Sequence, residues 1–301
     1  MRYRVTHRTT YTYEDDVYDS YGVARLMPRS LPWQAVAEHR VDVRPAPVAL
    51  RADVDGYGNR ITSFQVTEPH RALVIEATSS VRVDTPAYDA ASLAVPWERS
   101  RPRASDAPRA WAATEFSLES PQAAHAEAVR SYAAASLTPG RPVGEAVTDL
   151  VHRIHADFEY DGTATTVTST VDDVLRTRAG VCQDFAHLTL ACLRSHGVAA
   201  RYVSGYLATD PPPGKERVMG ADASHAWVAV WLPGPDEWLA VDPTNDQRAG
   251  ERYVTVAWGR DYGDVAPVKG VIFTDAKGSG LEVSVDVAPV DDAGDGEGTS
   301  A

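Results

Sequence analysis

The chain has 301 residues, of which 44% are hydrophobic. At roughly 150 residues per domain, this length predicts about two domains with enough apolar material for a buried core. The 42 acidic residues outnumber the 29 lysines and arginines and give a formal charge of −13, which disfavours a protein that holds nucleic-acid phosphates by its general surface field. The two cysteines, Cys182 and Cys192, are too few for a disulfide framework, and neither lies in a zinc-binding pattern.

The sequence shows no pattern typical of secretion or membrane insertion. Its first ten residues lack an apolar signal core, and the longest apolar run, residues 226–232, is far too short to cross a bilayer. We therefore expect a cytoplasmic protein.

Alternating side chains predict a β-rich domain over residues 1–85. From Tyr3 to Tyr13 the larger side chains occupy every second position, which is the period-2 pattern of a half-buried strand. Shorter alternating runs follow on either side of a glycine-rich turn at residues 55–59. Together they predict an antiparallel, sandwich-like domain. Residues 86–141 are interpreted as a connecting segment that contains a helix.

Helical and strand patterns are mixed from residue 142 onward, which predicts an α+β core over residues 142–288. An apolar helical stripe extends from Val143 to Phe158, and a second helix is predicted from Val181 to His196, just before Gly197. Strands are predicted at residues 199–207, 224–232 and 237–242, with a final hairpin formed by residues 271–273 and 281–287. The acidic, glycine-rich residues 289–301 are predicted to be a disordered tail.

Cys182 is placed where a reactive thiol is expected. It lies in the first turn of the second predicted helix, where unpaired N–H groups and the helix dipole favour a thiolate and lower the thiol pKa below its usual value near 8.5. Cys192 lies in the interior of the same helix among leucines and alanine, and we interpret it as a small core residue.

His225 is the best partner base that the sequence offers. If residues 233–236 form a four-residue loop, Leu232 faces Glu237, and Asp242 lies diagonally across from His225, about 7 to 8 Å away between backbones. A slip of one residue would place the two side chains on opposite faces of the sheet. An aspartate orienting a histidine is the arrangement that a general base requires. The spacing does not show that Cys182 touches His225, so a core histidine with an unrelated thiol is an equal alternative.

Four ordered motifs make the sequence recognisable, and two shorter ones support them. The chain resembles the bacterial two-part members of the transglutaminase-like family, which have a β-rich N-terminal domain followed by a transglutaminase core. The main motifs are residues 180–187, 200–206, 224–231 and 241–245, and the supporting ones are residues 158–160 and 259–267. The resemblance implies a papain-like α+β core in which a helix bearing the cysteine packs on an antiparallel sheet. It also implies a catalytic triad of Cys182, His225 and Asp242.

The activity implied by the resemblance is acyl transfer through a thioester. Cys182 would attack a glutamine carboxamide or a peptide carbonyl, and an amine or water would then take the acyl group. The implied partners are a protein or peptide substrate with a glutamine or amide group and an amine acceptor, with no role for nucleic acid or membrane. A cysteine protease or amidase on the same fold, or a non-catalytic binding module, remains an alternative, and the oligomeric state is open.

Several further residues are candidates for supporting roles. The backbone N–H of Cys182 is a natural oxyanion donor, and Tyr160 or Gln183 is a candidate second donor. Trp227 is interpreted as a wall of the site. Asp184, near the start of the helix, is interpreted as a structural carboxylate that stabilises the helix dipole.

No metal or other cofactor is predicted. His152 and His155 lie three residues apart on the helix predicted from Val143 to Phe158. No third ligand is nearby, which favours a solvated or capping role. The acidic stretch beginning at Asp53 has its glycine too early for an EF-hand and lacks the closing glutamate.

Overall fold

The computed structural model describes residues 1–103, 105, 109–165, 169–209, 224–233 and 237–290. It has the predicted α+β fold, with two large antiparallel sheets, a short parallel pair of strands and a group of helices. The strands are β1 (Arg2–Ala24), β2 (Gln34–Arg44), β3 (Ala49–Val54), β4 (Arg60–Val66), β5 (His70–Val83), β6 (Glu159–Tyr160), β7 (Ala179–Gly180), β8 (Ala200–Leu207), β9 (Ser224–Leu232), β10 (Glu237–Asp242), β11 (Gln247–Arg248), β12 (Tyr253–Gly259), β13 (Val268–Thr274) and β14 (Ser279–Pro289). The α-helices are α1 (Ala90–Ala94), α2 (Arg109–Glu115), α3 (Glu127–Ala134), α4 (Val143–Asp157), α5 (Val171–Thr177), α6 (Cys182–Arg194) and α7 (Tyr262–Val265).

The N-terminal sheet is organised by β1, which is 23 residues long. Its first half pairs mainly with β5 and β14, and its second half, after a register shift between Thr12 and Val17, pairs with β4 and β13. Val17, Phe64 and Ile75, which lie on β1, β4 and β5, belong to one buried apolar cluster. The two halves of the sheet therefore pack against each other, which confirms the predicted β-rich, sandwich-like N-terminal domain.

The predicted C-terminal hairpin is wrong in its pairing and in its placement. β13 and β14 each pair with β1 in the described part of the chain, and no pairing between the two is present there. The physical reason is the length of β1, which offers enough backbone to pair with both strands end to end. Val285 and Val287 are buried in the core cluster beside Val5 of β1. Residues 268–289 thus belong to the N-terminal sheet. The sequence pattern predicts the hairpin instead as part of the α+β core over residues 142–288.

The second sheet has the strand order β11-β10-β9-β8-β12 and carries α6 against β8 and β9. The apolar stripe of α6 explains this packing, because Leu188 and Cys192 are fully buried in the same cluster as Val228 of β9 and Leu150 of α4. The connecting segment over residues 86–141 holds the short helices α1, α2 and α3. A helix bearing Cys182 therefore packs on an antiparallel sheet, as predicted.

The register between β9 and β10 is the one that the loop length predicts. Leu232 pairs with Glu237 and Val228 pairs with Val241, so the next position along β10, Asp242, lies opposite Trp227. The central residues of the connecting loop, 234–236, lie outside the described residues, as does the predicted tail from residue 291. None of the helices within the described ranges is long and apolar enough to span a membrane.

Candidate active site

Cys182 is the first residue of α6 and is held there by a carboxylate at the helix start. Val181, the N-cap residue, has no side-chain acceptor, and Asp184 instead accepts its backbone N–H at 2.8 Å. Asp184 also accepts a hydrogen bond from Thr165 Oγ1 at 2.6 Å. A Cβ at Gly180 would lie 2.9 Å from the Asp184 carboxylate, so a glycine lets the chain pass close to this cap. Asp184 has the structural role expected of it.

His225 joins the thiol to a buried carboxylate. Its Nε2 lies 2.7 Å from Asp242 Oδ2, and its imidazole lies close enough to the Cys182 side chain for the two groups to interact electrostatically. Since Asp242 occupies Nε2, Nδ1 is the ring nitrogen left for the thiol. Burial alone would lower the pKa of His225, but the hydrogen bond to Asp242 and the interaction with Cys182 outweigh burial and raise the pKa to about 10. The imidazole is therefore protonated at neutral pH.

Asp242 is fully buried and accepts hydrogen bonds on both oxygens. Oδ2 accepts from His225, from Asn245 Nδ2 at 2.7 Å and from Tyr253 Oη at 2.7 Å. Oδ1 accepts the backbone N–H groups of Thr244 and Asn245, at 2.8 and 3.3 Å. Burial raises the pKa of this carboxyl, but the bonds from His225, Asn245 and Tyr253 outweigh burial and hold the pKa below its ordinary value. Asp242 is thus kept ionised as the orienting anion.

Tyr253 is a member of this network that sequence reasoning missed. It lies on β12, is almost fully buried and accepts a hydrogen bond from Gln247 Nε2 at 2.6 Å while donating to Asp242. Its ring packs edge-on against Trp227, with centroids 5.3 Å apart. No signal near the triad motifs pointed to it, because β12 is separated from β9 by β8 in the sheet. Asn245 had a signal in the sequence, since it follows Asp242 by three residues in the motif 241–245 that the resemblance singled out.

Replacing Tyr253 with phenylalanine is expected to lower kcat/KM about tenfold or more. The substitution keeps the ring but removes one of three donors on Asp242 Oδ2, and a hydrogen bond to a charged group contributes about 1.5 to 3 kcal/mol. Steady-state kinetics on purified protein measure the change. The matched control is Tyr206→Phe, because the Tyr206 hydroxyl is also buried but bonds to His7, 3.1 Å away. Equal losses in the two variants would contradict a specific role for Tyr253.

Gly205 lies where a side chain would collide with the Trp227 ring and with the backbone of β12. It pairs with His225 across β8 and β9. A Cβ at this position would lie 2.1 Å from the Val254 carbonyl oxygen and 2.5 Å from the Trp227 ring.

Substitution of Gly205 by alanine is expected to destabilise the fold by about 2 to 3 kcal/mol, because the clash involves backbone that cannot move freely. Urea unfolding measures the loss. Gly250→Ala is the control, since nothing lies within 4 Å of a Cβ built there. A Gly205→Ala protein as stable as that control would refute the steric explanation.

The remaining predicted site residues, Tyr160, Trp227 and Gln183, differ in how far their side chains are exposed. Tyr160 is 60% exposed on β6, which pairs with Gly180 just before the nucleophile. Burial of its hydroxyl, and then the charge of Cys182, raise the pKa of Tyr160. Trp227 is buried behind the imidazole of His225, with ring centroids 6.1 Å apart. Gln183 is half-buried in the first turn of α6.

His152 and His155 anchor the loop that follows Asp242. His152 Nδ1 lies 2.7 Å from Asp246 Oδ2, and His155 Nδ1 lies 2.9 Å from the Thr244 carbonyl oxygen. The two histidines therefore tie α4 to the loop that carries Asn245. Within the described ranges, no group of three or more His, Cys, Asp or Glu side chains is arranged to hold a metal ion.

Iodoacetamide is expected to alkylate Cys182 and to leave Cys192 unmodified in the folded protein. Cys192 is fully buried, and burial raises the pKa of its thiol to about 12, so it is neither accessible nor ionised at neutral pH. Peptide mapping by mass spectrometry after labelling at pH 7 measures the two sites separately. Equal modification of both thiols would contradict the structure.

Two family models match the chain in the order that the fold shows. The bacterial transglutaminase-like N-terminal region matches residues 3–82, and the transglutaminase-like superfamily matches residues 130–243. An uncharacterised protein of Mycobacterium tuberculosis strain H37Rv is 50% identical over 294 residues, which cover 96% of this chain and 93% of that protein. An uncharacterised protein of Mycobacterium leprae is 36% identical over 289 residues, or 95% and 98% of the two chains.

A solved structure shares the fold. It is that of a candidate cysteine protease from Cytophaga hutchinsonii, with a TM-score of 0.68 and 20% sequence identity, and the match covers 97% of this chain and 92% of that one.

Proposed function

Because the chain belongs to the transglutaminase-like superfamily, with the bacterial N-terminal region ahead of the core, we propose that it is a cysteine enzyme that transfers acyl groups through a thioester. The observation that carries the proposal is the arrangement of Cys182 near His225, whose imidazole is hydrogen-bonded to the buried carboxylate of Asp242. A nucleophile, a base and an orienting group within hydrogen-bonding reach are what covalent acyl transfer requires.

In the first half-reaction, the Cys182 thiolate attacks the carbonyl carbon of a carboxamide or peptide. The bond from Sγ to carbon forms, and the imidazolium of His225 gives its proton to the nitrogen as the carbon–nitrogen bond breaks. Ammonia or an amine leaves, and the acyl group remains on Cys182 as a thioester. The raised pKa of His225 supports this step, because the proton that the leaving group needs is present at neutral pH.

In the second half-reaction, a primary amine or water attacks the thioester. Neutral His225 accepts the proton of the attacking group, and the carbon–sulfur bond breaks to restore the thiolate and the imidazolium. An amine gives a new amide or isopeptide bond, and water gives a carboxylic acid. Asp242 keeps the imidazole oriented through both half-reactions.

The oxyanion formed in each half-reaction needs donors, and we assign the backbone N–H of Cys182 as one of them. Tyr160 is our candidate for the second, because it is exposed beside the thiol and its raised pKa keeps the hydroxyl proton in place. Gln183, in the same helical turn as Cys182, is the alternative donor. Trp227 is assigned a supporting role as the wall behind His225.

The substrate we propose is a protein or peptide that offers a glutamine or another amide, with a primary amine as acceptor. Purified protein is incubated with a panel of glutamine peptides and a labelled amine, beside the Cys182→Ala variant. Incorporation of the label, absent from the variant, supports the transferase. No difference from the variant across the panel would overturn the enzymatic proposal in favour of a binding module.

Hydrolysis by the same triad is the second candidate, since the solved Cytophaga hutchinsonii protein of this fold is named as a candidate cysteine protease. In the same incubation, release of ammonia or peptide fragments without incorporation of the amine supports this candidate.

A further inference from the structure

β13 is a free edge strand with an apolar centre. In the described part of the chain it pairs with β1 alone, so its other side has no strand beside it. Three consecutive residues on it, Val271, Ile272 and Phe273, are 61%, 37% and 57% exposed. Natural sheets usually protect such edges with charged residues, proline or a bulge, because an open edge pairs with other chains. The exposed centre of β13 has no charged residue or proline, and the bulge beside Phe273 has its extra residue on β1 and not on the open edge. This pattern is typical of an edge that pairs.

The sequence of β13 is complementary to itself in the antiparallel direction. When two copies are paired about Ile272, Val271 of each copy faces Phe273 of the other, and Lys269 faces Asp275, the first residue after β13, once the strand is continued by one residue. Both ends of the contact then carry an opposite-charge pair, and its centre is apolar. Neither Lys269 nor Asp275 forms an ion pair within the ranges that the structure describes.

Charge complementarity selects this register over its neighbours. Pairing about Val271 places Lys269 opposite Phe273, and pairing about Phe273 places Lys269 opposite Lys277. Like charges directly opposite each other destabilise a pair of strands. Since the chain has a net charge of −13, two copies also repel each other unless the contact itself supplies attraction. The register about Ile272 supplies two attractive pairs.

From this complementarity we infer that the occupant of the β13 edge is a second copy of the chain. The two β13 strands pair antiparallel about a two-fold axis at Ile272, so that the half-sheet β3-β4-β1-β13 continues into the same half-sheet of the second copy. The contact is isologous, as expected for a symmetric dimer. Tyr21 extends the apolar surface on one face, since its ring packs against Phe273 with centroids 6.3 Å apart.

Charge exchange at Lys269 in β13 and at Asp275, the residue that follows β13, tests the register. Lys269→Asp alone places two aspartates opposite each other at both ends, and Asp275→Lys alone places two lysines there. Each single variant is expected to lower the dimer association constant about tenfold. An equimolar mixture of the two variants recreates opposite charges at both ends of a mixed dimer and is expected to associate like the wild type. Sedimentation equilibrium over a range of protein concentrations measures all four samples.

Cross-linking at the axis gives a second, independent measurement. Ile272→Cys in a Cys182→Ala background places two thiols opposite each other within the separation that a disulfide spans. A disulfide-linked dimer is expected under mild oxidation. Val48→Cys in the same background is the matched control, because Val48 is 65% exposed at another site, and it is expected to give no disulfide-linked dimer.

A wild-type protein that keeps the monomer mass at every concentration would overturn the proposal and leave the edge to a different strand-forming partner. A mixture of charge variants that associates no better than either variant alone would overturn it as well.

Discussion

Replacement of Cys182 by alanine will remove the acyl-transfer activity and leave the fold intact. Loss of a triad nucleophile lowers kcat by several powers of ten, so a fall of at least about 10⁴-fold is expected. The thiol lies at the surface-facing end of α6 and is only partly buried, so the free energy of unfolding should change by less than about 1 kcal/mol. Steady-state kinetics and urea unfolding of the same preparation measure both quantities.

Cys192→Ala is the matched control for this loss. Cys192 lies ten residues further along the same helix and is fully buried, so its truncation removes core packing and leaves the triad in place. We expect it to retain wild-type kcat/KM and to lose about 1 to 2 kcal/mol of stability. A Cys182→Ala protein that keeps measurable turnover, or a Cys192→Ala protein that is stable but inactive, would contradict the assignment of the nucleophile.

Local patterns in the sequence predict the parts of the site that lie on neighbouring strands. The length of the loop between β9 and β10 and the alternation in both strands define their register, and that register places Asp242 diagonally across from His225. The start of α6 is also determined by neighbouring residues, because Gly180 and Asp184 lie on either side of Cys182 in the sequence. These features depend on residues a few positions apart or on one short loop.

Local sequence patterns do not predict which distant segments of the chain come into contact. The meeting of Cys182 with His225 depends on how α6 packs on the sheet, and only the family resemblance pointed to it. Tyr253 reaches Asp242 from a strand three positions away in the sheet, which no spacing in the sequence encodes. The pairing of β13 and β14 with β1 was mispredicted for the same reason, since nearby strands in sequence favour a hairpin and only the length of β1 allows the alternative.

Asp242→Asn is expected to lower kcat by about 10² to 10⁴-fold and to move the alkaline limb of the pH profile. Asparagine keeps the volume of the side chain but removes the charge that orients and stabilises the imidazolium. The raised pKa of His225 means that the wild-type imidazole stays protonated up to about pH 10. Activity that needs this proton is therefore present below that pH and is lost as the pH rises through it.

The direction of the shift in the variant follows from the same contacts. Without the Asp242 charge, burial lowers the pKa of His225 and only its interaction with Cys182 opposes that effect. The alkaline limb of kcat/KM should therefore move to lower pH, and activity should be lost nearer neutrality. The profile reports the Cys182–His225 pair as a unit, so the limb is compared between proteins measured in the same buffers. A limb that stays near pH 10 in Asp242→Asn would refute the role of this carboxylate.

Asp246→Asn separates this effect from a general change in charge. Asp246 lies four residues further on and pairs with His152 at 2.7 Å, so the variant removes one negative charge near the site and leaves the Asp242 network intact. It should keep the wild-type alkaline limb. Asp242→Asn should also lose about 1 to 3 kcal/mol of stability, because its amide N–H₂ replaces an acceptor on which buried donors converge. A shift of the limb in Asp242→Asn alone would show that it is the buried carboxylate, through its bond to His225, that keeps the imidazole charged.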